Sequence, residues 1–271
     1  MWNWVIGFGC SAIVAYSAYK RRSLSLSGML AAITMGTIFF AMGSLLWFGI
    51  LLAFFVSSSV MSHVKKSAKE TYEAAYEKTG RRDAGQVFAN GGIGMLLCIA
   101  FAINPSPLIV AAFVGVMATV TADTWATEIG SLSRSQPRSV LTWRRIPTGT
   151  SGGVSVLGTL AAMCGGLFIG LCAAGFDWLS PIHQGVPVYL YLLMGWIGGT
   201  VGAFADSIMG ATCQVMYRCP KCGKMVERKD HCGVRTDRVR GLSWMNNDQV
   251  NWISSCAGGL IAIVLLYLAG I

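Results

Sequence analysis

Residues 116–130, VMATVTADTWATEIG, open as a membrane helix does and then place Asp123 and Glu128 inside the same apolar run. A carboxylate near a bilayer core costs about 2.5–3.5 kcal/mol on insertion scales, so an acid kept there points to function. Asp206 repeats the pattern in AFADSIMGAT, residues 203–212. Small residues flank both acids: Ala118, Ala122 and Ala126 around the first, and Gly198, Gly199, Gly202, Ala203 and Ala205 around the second. Small residues let helix backbones approach closely, so the two carboxylates can share a site. Facing acids in a low-dielectric cleft repel unless a cation lies between them. Carboxylate oxygens completed by substrate phosphates suit Mg²⁺. The competing reading is structural, with a helix-end acid paired to Arg144 or Arg145, or a protonated Asp donating a hydrogen bond.

The second group is RRIPTGTSGGVS, residues 144–155. Arg144 and Arg145 can each clamp phosphate oxygens. Gly149, Thr150, Ser151, Gly152 and Gly153 approach a helix start, where free N–H groups and the helix dipole bind anions. An ordinary capped turn would also use Thr150 or Ser151. No Gly-Lys-Ser/Thr follows, so this is not a Walker loop. Asn90, Gly91 and Gly92 in FANGGIGMLL echo the pattern, and each of the two stretches is followed by a helix with an Ala-Asp pair. A duplicated helix pair and chance similarity both account for that echo.

CPKCGKMVERKDHC, residues 219–232, offers Cys219, Cys222, Cys232 and His231. The residue types and the C-x2-C spacing suit a structural Zn²⁺ knuckle, with the fourth ligand open because His231 and Cys232 are adjacent. A redox pair and unligated thiols are the alternatives. In WMNNDQVNWISS, residues 244–255, Asn247, Asp248 and Asn251 are too many polar residues for capping alone, and they are expected to complete a polar site.

These residues need helices to position them. Of 271 residues 54% are hydrophobic and 12% charged, and the apolar runs are continuous rather than alternating. That excludes a soluble enzyme and a β-barrel. The expected fold is all-α, one polytopic transmembrane bundle over 1–271 with a small cytoplasmic Cys/His hairpin in 212–248. About eight spans are expected, at roughly 2–19, 24–43, 44–61, 87–104, 107–129, 153–174, 187–210 and 250–270. The first run reads as a transmembrane helix rather than a leader. Threading these spans puts all 21 Lys and Arg on one side, which predicts both termini outside and the motif loops in the cytoplasm. Residues 63–86 read as a cytoplasmic helix with i,i+4 ion pairs. The net charge of +9 suits anionic lipid headgroups and a rim that gathers phosphates. Nucleic-acid binding is excluded, since no recognition module is present.

Taken together, ADTWATEIG, RRIPTGTSGGVS, ADSIMGATCQ, CPKCGK…HC, WMNNDQVN and RRDAGQVFANGG resemble the signature blocks of the domain-of-unknown-function 92 family, which includes plant phytyl-phosphate kinase. The resemblance implies phosphoryl transfer from a nucleoside triphosphate, CTP by analogy with prenol kinases, to an isoprenoid lipid monophosphate. It implies Mg²⁺ at Asp123, Glu128, Asp206 and Asp248, and phosphate at Arg144 and Arg145 with the glycines shaping the loop. A bacterial plasma membrane is the expected location. A transporter or flippase for an anionic lipid or ion is the alternative, because intramembrane acids beside Gly-interrupted helices also mark transport sites. A membrane scaffold docking through the zinc hairpin is a third.

Overall fold

The structure, a computed structural model, describes residues 1–63, 81–181 and 183–271. Its long elements are α1 (Trp2–Lys20), α2 (Leu26–Met42), α3 (Leu45–His63), α4 (Ala84–Ile103), α5 (Pro107–Gly130), α6 (Val156–Leu179), α7 (Val188–Thr212) and α8 (Asn247–Leu268). The helices α3 to α8 are each long and apolar enough to cross a membrane, and α2 is a shorter apolar helix of 17 residues. The chain is a polytopic helical membrane protein. Most of the soluble helix expected at 63–86 lies outside the described residues. Its last part belongs instead to α4, which starts at Ala84 because Asp83 and Gln86 form a reciprocal capping box. α6 continues to Leu179, with Ala173, Ala174 and Asp177 still buried, and stops at Ser180 before Pro181.

α5 is the central helix: every residue from Val110 to Ala122 is buried. Trp47 of α3 stacks on Phe113 at 4.2 Å between ring centroids, and Phe39 of α2 lies 5.7 Å from the same ring. Around the other half of α5 the packing is built from small residues. Gly115 faces Ala262 and the Gly258 carbonyl of α8, and Gly165 of α6 faces Ala122. α7 is interrupted by a π-helical turn at Met194–Gly198. There Thr119 of α5, donating to the Gly115 carbonyl at 2.9 Å, also reaches the Gly198 carbonyl at 3.4 Å. A π turn widens the helix and often accompanies a site.

The all-α expectation needs one correction. The loops at the basic end carry short antiparallel strands: β1 (Arg138–Ser139) with β2 (Gly153–Val154), β3 (Met216–Arg218) between β4 (Met225–Val226) and β7 (Asp237–Arg240), and β5 (Asp230–His231) with β6 (Val234–Arg235). Turn-forming glycines at 223, 233 and 241, all with positive φ, fold this polar segment back on itself, so it cannot run as helix.

Candidate functional site

The acids on α5 and α7 are brought to one level by helix packing. Ala118 lies against Gly199 and Thr119 against Gly202, with residue numbers rising together, so the two helices run parallel. Asp123 and Asp206 each stand four residues beyond the Thr119–Gly202 contact, on the same faces. Ala122, Ala162 and Ala203 pack together beside them. α8 runs antiparallel to α5, which brings Ser254 to the same depth, where its hydroxyl donates to Asp206 Oδ2 at 3.0 Å. Asp123 and Glu227 are the carboxylates whose charges act on Asp206. Neither Ser254 nor Glu227 carries a signature in the sequence.

From Ser254 a polar line leads across the bundle. Its hydroxyl also reaches the Asn251 carbonyl at 3.1 Å, and Asn251 donates through Nδ2 to Asn90 Oδ1 of α4 at 3.2 Å. Asn247 and Asp248 open α8, where Asn246 caps the Asp248 N–H at 2.8 Å. Asp248, Asn251 and Ser254 recur at intervals of three, so each is about 60° round the helix from the next, and Asp248 and Ser254 are about 120° apart. Asn90, Gly91 and Gly92 lie well inside α4, seven or more residues after its cap. A side chain on Gly91 would meet Met35, and one on Gly92 would meet Trp252. These glycines are packing positions within a helix, unlike the turn at 149–153, so the two stretches of the sequence echo are not structural equivalents.

The four acids expected around one Mg²⁺ are divided. Glu128 is five residues beyond Asp123 and therefore about 140° round the helix. It accepts a 2.6 Å hydrogen bond from Ser62 of α3. Arg82 faces it: burial lowers the pKa of this guanidinium, and the Glu128 charge pushes back upward. Arg82 is held by backbone bonds to Ser23 and Ser25 and lies over the Phe54 ring at 5.9 Å. Of the acids expected around the metal, Asp123 is the one whose charge acts on Asp206, and two carboxylates completed by phosphate oxygens are an ordinary Mg²⁺ set.

Cavities flank this centre. One, of about 110 Å³, is lined by Asp123, Thr127, Thr148, Gly149, Thr150, Gly153, Ser155 and Ser207 among others. It is the more polar of two cavities, with the glycine-rich turn as one wall. Gly152, at φ +85°, lies against Ala211, which packs the turn onto the end of α7. Ser151 points away from the cavity and donates to Glu227 Oε1 at 2.7 Å. Arg144 and Arg145 are exposed on the β1–β2 connection and do not line it. The other cavity, of about 60 Å³, lies between α1, α2, α3 and α4. Its walls are apolar, including Val14, Met35, Phe48, Leu51 and Phe55, and Arg82, Gln86 and Asn90 are its polar side.

The Cys/His segment folds as two hairpin tips that meet. The ligand atoms of Cys219, Cys222, His231 and Cys232 all lie within 4.8 Å of one another, the only such group of His, Cys, Asp or Glu among the described residues. His231 Nδ1 is 3.5 Å from Cys222 Sγ and 3.2 Å from Cys232 Sγ. Burial raises the Cys219 thiol, but hydrogen bonds involving His231 and the backbone of Cys222 and Lys221 outweigh it and bring the pKa down to about 6.

The fold and centre define a polytopic membrane protein with two acids paired on neighbouring apolar helices, between a more polar and an apolar cavity. The chain belongs to the family of integral membrane protein DUF92, whose model matches residues 9–259. It is 31% identical to Protein PGR of Arabidopsis thaliana over 90% of this chain and 89% of that one. It is 29% identical to an uncharacterized membrane protein of Methanocaldococcus jannaschii, covering 93% and 90%. With Protein VTE6, chloroplastic, of Arabidopsis thaliana it shares 26% identity over 97% of this chain and 72% of that one. No solved structure matches it significantly.

Proposed function

We propose that the protein transfers a phosphoryl group from a nucleoside triphosphate, CTP by the family resemblance, to an isoprenoid lipid monophosphate, giving the diphosphate. The observation that carries this reading is the place of the acid pair. Asp123 lines the polar cavity, while Asp206 connects through Ser254, Asn251 and Asn90 to the apolar one. One water-soluble and one greasy substrate would meet between them. An oxygen of the lipid monophosphate attacks the γ-phosphorus, the bond to the β–γ bridging oxygen breaks, and a nucleoside diphosphate leaves. Such transfer needs positioning and charge neutralisation more than covalent chemistry. Asp123 and Asp206 would hold Mg²⁺, which when bound neutralises charge on the transferring group. The turn at Thr148 and Gly149 would present backbone N–H groups toward the donor phosphates, with Thr150, whose N–H is donated to the Pro147 carbonyl, beside them on the cavity wall. Arg82 would bind the lipid phosphate. The apolar slot, from Phe55 to Phe48 of α3 about 10 Å deep by helical rise, would take the first part of the tail. Arg144 and Arg145 gather anions at the rim. The one-sided basic residues support motif loops in the cytoplasm and both termini outside.

The test is purified protein in mixed micelles with γ-labelled nucleoside triphosphates, Mg²⁺ and a panel of prenyl monophosphates. Labelled prenyl diphosphate is expected from wild type, and a loss of at least about 100-fold for Asp123→Asn and Asp206→Asn. Saturating Mg²⁺ with substrate should raise the melting temperature of wild type and not of these variants. Wild-type turnover in both variants would refute the site. Lipid-phosphate movement across proteoliposomes without any transfer would favour a transporter.

A further inference from the structure

We propose that Cys219, Cys222, His231 and Cys232 bind one Zn²⁺, and that this metal fixes the hairpins which clamp the glycine-rich turn against α7. Cys219 and Cys222 flank the β3–β4 turn, in which the Gly223 N–H donates to the Cys219 carbonyl at 2.8 Å. His231 and Cys232 belong to the β5–β6 hairpin. Its loop is Cys232-Gly233, with φ of 53° and 74°. Those are the angles of a type I′ turn, whose first central position is usually Asn, Asp or Gly. A cysteine there is an outlier with a consequence: the left-handed backbone turns adjacent His231 and Cys232 toward one point. That resolves the difficulty of two neighbouring ligands. Ligands of tetrahedral zinc, with bonds of about 2.0–2.3 Å, stand about 3.3–3.8 Å apart. The spacings of 3.2 and 3.5 Å around His231 Nδ1 are of that size.

The clamp follows from the strands that these tips hold. Glu227, next after β4, accepts from Ser151 Oγ at 2.7 Å and from Gln214 Nε2 at 2.8 Å. Arg240, the last residue of β7, donates to the carbonyls of Ala211, Gly210 and Ser151. A cation there also suits the C-terminal end of α7. Both residues therefore join the turn to the helix that carries Asp206. The hairpins are short, and β3, which pairs with both β4 and β7, runs directly into Cys219. The tips are otherwise held by these few ladder bonds, by the Thr236 hydroxyl donating to the Arg228 carbonyl at 2.7 Å, and by the small cluster of Val215, Tyr217 and Val226, and the metal would tie them together directly.

Neither readout of the test depends on the catalytic reading. Wild type purified without chelator should carry about one zinc per chain by elemental analysis, and Cys222→Ser should carry less than half of that. Amide exchange across 148–153 and 210–214 should speed at least about tenfold in Cys222→Ser, with α4 and α5 unchanged. Chelating the metal from wild type should do the same, reversibly on adding zinc back, which keeps the test open if the variant does not fold. Glu227→Gln should keep its zinc and still loosen 148–153. A metal-free wild type, or a disulfide in place of the metal, overturns the site. Zinc loss with unchanged exchange at 148–153 overturns the clamp.

Discussion

Thr119 of α5 fills the space that Gly202 of α7 leaves empty, and the level of Asp123 beside Asp206 follows from that fit. A Cβ at position 202 would collide with the Thr119 hydroxyl, methyl and Cβ. The relation is one of register: moving either helix by a residue would turn one acid away from the other.

Gly202→Ala should therefore destabilise the protein by about 1–3 kcal/mol through overpacking, despite the better helix propensity of alanine. Thr119→Ala in the same chain should recover part of that loss, because the two residues touch and their effects are coupled. Chemical or thermal denaturation in detergent measures it. Additive losses in the double variant would show that the contact does not set the packing.

Ser254→Ala removes the hydroxyl that donates to Asp206. A hydrogen bond to a charged group contributes about 1.5–3 kcal/mol. The expected outcome is a roughly tenfold rise in the Mg²⁺ concentration for half-maximal turnover, a 1.4 kcal/mol effect, with the protein still folded. Ser254→Thr should retain most of the wild-type response. An unchanged Mg²⁺ dependence in Ser254→Ala would remove Ser254 from the site.

Arg82 and the glycine turn are expected to serve different substrates. Arg82→Gln should raise KM for the lipid phosphate by at least about tenfold, the scale of one charge-assisted contact, and leave KM for the nucleotide within twofold. Thr150→Val, which removes a side-chain hydroxyl from a residue on the wall of the polar cavity, should do the reverse. Steady-state kinetics with each substrate varied in turn separates the two. Parallel shifts in both constants would contradict two distinct cavities.

The orientation is checked by single-cysteine labelling in intact cells, on a background without other reactive thiols. An impermeant reagent should modify a cysteine placed at Gly185, which is exposed with open space around it, and should spare one placed at Ser135. The opposite pattern would invert the topology.

The sequence by itself determined the class of the fold. Long apolar runs leave a chain no choice but to satisfy its backbone within helices when it enters a bilayer. It also determined the chemical inventory: acids in apolar helices, a glycine-rich turn beside paired arginines, and a C-x2-C segment ending in His-Cys. Which of these meet was decided only by tertiary structure. Asp123 and Glu128 are neighbours in sequence yet face different helices, because a spacing of five residues leaves their side chains about 140° apart on the helix. Asp206 meets Asp123 through contacts between glycines and Thr119 that no local pattern encodes. Ser254 carries no signature in the sequence, and it becomes a partner of Asp206 only when antiparallel packing sets its depth. Glu227 and Arg240 likewise carry no signature, and they meet Ser151 and the end of α7 only because three short strands fold them there. Helix periodicity is a local property that a sequence carries on its face. The register between helices depends on which small residues interlock at a distance, and that is settled when the bundle closes.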